Sequence, residues 1–171
     1  REAANNFGSS TIVISMEVIK QSNNSYLCFT DNGREFTGID AIEWAQKIQE
    51  LGAGEIVLTA VDRDGTGNGF DTELIESISD KLSIPLIVHG GAGCSDDVLN
   101  TAKKFPKIDG FGIASMFHYH FLKEYNITDK NFDEGNIDFI RKGLHPKGIN
   151  PIDIKSLKCY LNDNKIDVRL F

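Results

Sequence analysis

The sequence predicts an α/β fold made of βα units on a parallel sheet. Short β-branched runs such as "TIVISMEV", "EIVLTAV" and "IPLIV" alternate with longer stretches of helical period, the pattern that parallel sheets leave in a sequence. The units recur every ~25 to 30 residues, and four of them amount to half of an eight-stranded (β/α) barrel of the TIM type. Each apolar run ends in polar or glycine-rich residues, in "MEVIK", "DRDGTGNG", "HGGAG" and "ASMFH". Barrels of this kind place their chemistry on the loops at the C-terminal ends of the strands. A chain of 171 residues, 40% apolar and 25% charged, suits about one soluble domain with a sizeable core.

The opening "REAANNFGSS" reads as the last turn of a helix, closed by Phe7 and Gly8 before the first strand. With no initiator Met, the chain is expected to begin partway through a larger protein. After the first strand, "SYLCFTDNGREFTG" reads as a small hairpin with a polar turn at Asp31, Asn32 and Gly33. In "IDAIEWAQKIQELG" the apolar residues Ile39, Ile42, Trp44, Ala45, Ile48 and Leu51 follow a helical period, with Asp40 in the first turn and Gly52 as terminator. Trp44 is expected to pack this helix on the barrel. The second strand, "EIVLTAV", leads into "DRDGTGNG", and "DTELIESISDKL" follows as a helix with Asp71 at its N-cap and Glu73 in its first turn. The third strand, "IPLIVHGG", precedes a helix that Ser95 and Asp96 open. The fourth is "IDGFGIASMF". Residues 121 to 151 break the pattern as a polar excursion, too long for an ordinary connection and therefore functional or locally folded. A last helix, "IDIKSLKCYLNDN", and a short extended tail, "IDVRLF", close the chain.

A net charge of −7 and a pI near 5.0 argue against a nucleic-acid or anionic-membrane surface, either of which needs clustered basic residues. The longest apolar runs fall far short of the ~20 residues that span a bilayer, so neither a membrane span nor a leader is expected. Cys28, Cys94 and Cys159 are odd in number and form no CxxC, which suits a reducing compartment. A cytoplasmic protein without cofactor or metal is the expectation.

The strand ends hold the candidate chemistry. Gly90 and Gly91 let backbone N–H groups converge on an oxyanion, and Ala114 and Ser115 at the next strand end strengthen a phosphate reading. Asp62 and Asp64 would point the same way if the strand continued through them, with Arg63 opposite and paired to an acid. A carboxylate there can move a proton or hold substrate hydroxyls. Glu17 is the third candidate acid. His118 and His120 lack nearby acidic or cysteine partners for a metal, while His89, beside the glycine pair, is placed to touch ligand.

Together, "GAGEIVLTAVDRDGTGNGFDTELI", "IPLIVHGGAG" and "GIASMFH" resemble, in order and spacing, the cyclase subunit of imidazole glycerol phosphate synthase, a (β/α)8 barrel of histidine biosynthesis. The resemblance covers residues 1 to about 120 and returns at "LKCYLNDNKIDVRL", so the chain looks like strands five to eight, the C-terminal half of one barrel domain over 1–171. It implies a glutaminase partner supplying ammonia and a bis-phosphorylated ribonucleotide that is cleaved and cyclised. By position Asp64, Gly65, Gly91, Ala114 and Ser115 match the phosphate site, Thr59 a substrate contact, and Glu55 a charged residue gating ammonia at the opposite face.

Several positions depart from that pattern. Glu17 stands where the family has an Asp acting as general acid or base, with no Lys two residues on. Asn32 and His89 fall at family serines. The excursion resembles instead the barrel paralogues found with a glutaminase and a sugar amidotransferase in surface-polysaccharide synthesis, where the barrel is thought to deliver ammonia. A half-barrel with two open parallel edges is expected to be inactive alone, and to dimerise or require its N-terminal half.

Overall fold

A computed structural model of the chain describes residues 1–124 and 146–170. The elements are α1 (Glu2–Phe7), β1 (Val13–Lys20), β2 (Tyr26–Thr30), β3 (Glu35–Asp40), α2 (Ala41–Glu50), β4 (Glu55–Ala60), α3 (Thr72–Ser79), β5 (Leu86–His89), α4 (Ser95–Lys104), β6 (Gly110–Gly112), α5 (Ser115–Glu124) and α6 (Ile154–Asp163). One six-stranded sheet runs in the order β3-β2-β1-β4-β5-β6. The ladders β1–β4, β4–β5 and β5–β6 are parallel, so the four strands of the βα units all end at one edge. No helix among the described residues is long and apolar enough to cross a membrane.

Strict alternation along the strands separates two faces. Met16, Val18, Ile56, Leu58, Ala60, Leu86 and Val88 lie between 0% and 3% exposed, forming a core with Ala45 and Ile48 of α2, Leu74 and Ile78 of α3, and Val98 and Leu99 of α4. The residues between them, Ser15, Glu17, Val57, Thr59, Ile87 and His89, face the other side and are only partly covered. Val13, on that side, is 51% exposed. A helix-covered face and an open face are what part of a barrel wall presents.

The helix starts follow local chemistry. Asp40 ends β3 and caps α2, its carboxylate accepting from the N–H groups of Ile42 (2.9 Å) and Glu43 (3.0 Å). Asp71 caps α3 by accepting from Leu74 N (3.0 Å), and the same oxygen accepts from the Tyr26 hydroxyl (3.0 Å). This pins β2 to α3 in a buried site. Burial, helped by the adjacent Asp71 carboxylate, holds the Tyr26 hydroxyl well above its usual titration range.

Tertiary structure corrects several expectations. The second strand ends at Ala60, and Asp64 N donates to the Ala60 carbonyl (3.1 Å). Residues 61 to 66 therefore form turns, and alternation does not govern Asp62 and Asp64. Among the described residues Arg63 pairs with no acid: its Nη1 donates to the Asn68 carbonyl (3.3 Å). The fourth strand is only Gly110–Gly112, because α5 begins at Ser115 and His118 N already donates to Ala114 O (2.9 Å). The helix after the glycine pair does open at Ser95 as expected, with Cys94 as its N-cap residue, and the Asp97 carboxylate accepts from Gly93 N (2.8 Å) and Cys94 N (3.0 Å). The hairpin covers β1 from Glu17 to Lys20, so one of the two expected open edges is half closed. Residues 166–170 form no strand. Most of the expected excursion, 125–145, lies outside the described residues; residues 121–124 finish α5.

Candidate active site

The parallel register builds one row across the open face. Glu17 on β1 is the cross-strand partner of Thr59 on β4, Thr59 of His89 on β5, and His89 of Gly112 on β6. A Glu17 carboxylate oxygen accepts from Gly33 N at 2.9 Å, so the hairpin turn holds the acid at the edge where the strands end. That turn places Asp31, Asn32 and Gly33 consecutively at positive φ (54°, 57° and 78°). A Cβ on Gly33 would fall 2.7 Å from Val61 Cγ1, so glycine is needed there for closeness as well as for dihedral. Thr59 Oγ1 stands 3.4 Å from His89 Nδ1.

Beyond the row, the loops after β4 and β5 interlock. Gly69 N donates to Gly91 O (2.8 Å), and a Cβ on Gly91 would lie 2.2 Å from the Gly69 carbonyl oxygen. Gly90 approaches the Ala60 carbonyl in the same way, at 2.5 Å. The phosphate candidates Gly90 and Gly91 are thus buried, while Asp64, Gly65 and Ala114 are exposed and Ser115 is half-buried. Since β5 and β6 run in parallel from His89 and Gly112, Gly90–Gly91 and Ala114–Ser115 leave the sheet side by side. The first-turn N–H groups of α5 have no intrahelical acceptor and carry the positive end of its dipole, a suitable seat for an oxyanion.

A third segment, from the end of the expected 121–151 excursion, closes this cradle. Asn150 N donates to Gly93 O (2.6 Å), and Ile149 behind it is fully buried. A Cβ on Gly93 would meet Gly148 O at 2.1 Å and Gly67 O at 2.6 Å. Glycines from three loops therefore touch backbone to backbone, and Gly148 between two prolines in "PKGINP" was the available signal. Asp97 and Gly112 were also unassigned from sequence, and Gly33 was assigned only to its turn.

Glu55 lies on the same face as Thr59, at the start of β4 beside Val13, about 13 Å away along the strand at ~3.3 Å per residue. It belongs to the opposite end of the sheet and is not brought to the row.

The sequence profile of the family described as "Histidine biosynthesis protein" matches residues 1–123. The chain belongs to that family. Among curated relatives, "Imidazole glycerol phosphate synthase subunit HisF" of Bacillus cereus (strain Q1) is 44% identical over 118 residues, 69% of this chain and 46% of the relative. The subunit of the same name from Dehalococcoides mccartyi is 44% identical over 146 residues, 85% of this chain and 52% of the relative. The chain spans about half the length of the curated relatives it matches. Family membership fits a parallel sheet of TIM-barrel type, with Glu17, Glu55, Thr59, Asp64, Gly65, Gly90, Gly91, Ala114 and Ser115 all inside the matched residues. Gly148 and Asn150 lie beyond them.

Proposed function

We propose that this chain is the C-terminal half of the cyclase subunit of imidazole glycerol phosphate synthase. Joined to the rest of its barrel, it uses ammonia from a glutaminase partner to convert a bis-phosphorylated ribonucleotide into imidazole glycerol phosphate and an aminoimidazole carboxamide ribonucleotide. The observation that carries this reading is the alignment of Glu17, Thr59 and the two glycine loops at one edge of the open sheet face, in a chain 44% identical to subunits of that name. In this reading one substrate phosphate sits on the N–H groups of Gly65, Gly91, Ala114 and Ser115, with Asp64 and Gly90 shaping the cradle. Thr59 contacts the substrate, and Glu17 shares the proton transfers with an acid from the N-terminal half. Glu55, on the same face at the other end, suits a gate for ammonia entering there.

The test is turnover of the ribonucleotide by the full-length protein with ammonium salts. Loss of turnover in Glu17→Gln is expected; a folded wild-type protein inactive at every ammonium concentration refutes the reading.

A second reading has its own support, because the family match stops at residue 123, within the first residues of the excursion. In it the barrel delivers ammonia to a sugar amidotransferase. Deleting residues 125–145 should then abolish sugar amidation while leaving the glutaminase stimulated by docking; unchanged amidation refutes it.

A further inference from the structure

The row on the open face contains an ionisable side chain to which the proposed function gives no role. His89 is two strands from Glu17, with Thr59 between them in register. At ~4.8 Å per strand the two backbones stand about 10 Å apart, a gap that admits a sugar or small heterocyclic ring with a carboxylate at one side and an imidazole at the other.

The imidazole is fitted into the sheet from both neighbours. On β4, Thr59 Oγ1 lies 3.4 Å from Nδ1, which orients the ring and leaves Nε2 as the nitrogen without that contact. On β6, the register partner is Gly112, where a Cβ would fall 2.9 Å from Cδ2 and 3.2 Å from Cβ of His89. The ring fills space that any side chain at 112 would need. Immediately after His89 the chain turns into Gly90 and Gly91 at φ of 93° and 106°, so the imidazole stands beside the phosphate cradle and is half-buried.

We propose that His89 is a further catalytic acid–base residue, acting beside Glu17 on a phosphorylated substrate lying between them. The assignment rests on the cyclase reading for its substrate. As ammonia forms its bond to a substrate carbonyl carbon, the Glu17 carboxylate takes one proton from the attacking nitrogen. The His89 imidazolium gives its Nε2 proton to the carbonyl oxygen as the C=O π bond opens, so the step ends at a neutral carbinolamine. One proton is accepted and one donated, so the net charge of the pair is unchanged and no oxidant or reductant is consumed. Exchange with solvent resets both groups. Thr59, through Nδ1, acts as a positioning residue.

Steady-state kinetics of the full-length protein with ammonium salts test this. His89→Gln should lower kcat by on the order of a hundredfold or more, with KM within about threefold of wild type, as expected when a proton-transfer group is lost. His89→Ala should recover part of its kcat on addition of free imidazole, a rescue that a packing role cannot give. A His89→Gln enzyme that keeps kcat, or loses only through KM, overturns the proposal. If the wild-type protein shows no turnover at any ammonium concentration, the cyclase reading fails separately, and a ligand-binding measurement decides the role of His89. Ribose 5-phosphate added to the 15N-histidine-labelled protein should shift the His89 ring resonances, and Thr59→Val should change that shift; ring resonances indifferent to the ligand overturn the proposal.

Discussion

Gly93→Ala should be far more damaging than Gly65→Ala, although both alter the same cradle. Gly65 has φ of +72° and nothing within 4 Å of an added Cβ, so its alanine variant suffers only the left-handed backbone penalty of about 1 kcal/mol. At Gly93 the backbone is ordinary, but the Cβ would lie 2.1 Å from Gly148 O, 2.6 Å from Gly67 O and 2.8 Å from Gly67 Cα, where real Cβ atoms keep at least 3.0 Å. These are backbone atoms and have no rotamer to adopt. Clearing them means parting the loops by about 0.9 Å at the closest point, which also stretches the 2.6 Å bond from Asn150 N to Gly93 O. Overpacking of this kind costs about 1–3 kcal/mol, and the lost hydrogen bond about 0.5–1.5 kcal/mol more, for a loss of about 1.5–4.5 kcal/mol. Urea unfolding followed by Trp44 fluorescence measures it. With m about 2 kcal/mol/M, the midpoint should fall by about 0.75–2.25 M at unchanged m. Phosphate affinity should fall with it, since Gly91 belongs to the same junction. A Gly93→Ala protein no less stable than Gly65→Ala would refute the three-loop junction.

Gly112→Ala should leave stability nearly unchanged and lower kcat sharply, because its methyl group displaces the His89 ring from 2.9 Å; wild-type kinetics in that variant would show that the ring's place is not critical. Asp71→Ala removes both the α3 cap and the acceptor of the Tyr26 hydroxyl, and should cost about 2–4 kcal/mol in urea unfolding; a loss no larger than an exposed cap mutation would contradict the linkage of β2 to α3. Burial, then Asp40, pushes the Cys28 thiol up to about 11, and burial with Asp71 raises Tyr26. Both groups are raised in the folded state, so the stability they contribute is complete below their unfolded values of about 8.5 and 10 and is lost as pH rises past them. Unfolding free energy should therefore decline from pH 8 to 11, less steeply in Cys28→Ala/Tyr26→Phe; parallel declines would refute the assignment. Iodoacetamide should label exposed Cys159 in the native protein and buried Cys28 only on unfolding, which mass spectrometry can order in time; early labelling of Cys28 would place it outside the core.

The sequence by itself determined the local features of this protein. Short β-branched runs marked β1, β4 and β5, and helical period marked α2 and α3. Asp71 announced its cap, and Asp31-Asn32-Gly33 its turn. The polar, glycine-rich strand ends pointed to the functional edge. These are readable because each depends on residues within a turn or a pleat of one another. Alternation misled at Asp62 and Asp64, where backbone bonds from Asp64 to Ala60 and Val61 replaced the ladder. Only the tertiary structure decided that Glu17, Thr59 and His89 share a row, that Gly112 makes room for the imidazole, and that Gly67, Gly93 and Gly148 meet. Register between strands and contact between loops are set by packing across residues far apart in the chain, and no local period in the sequence encodes them.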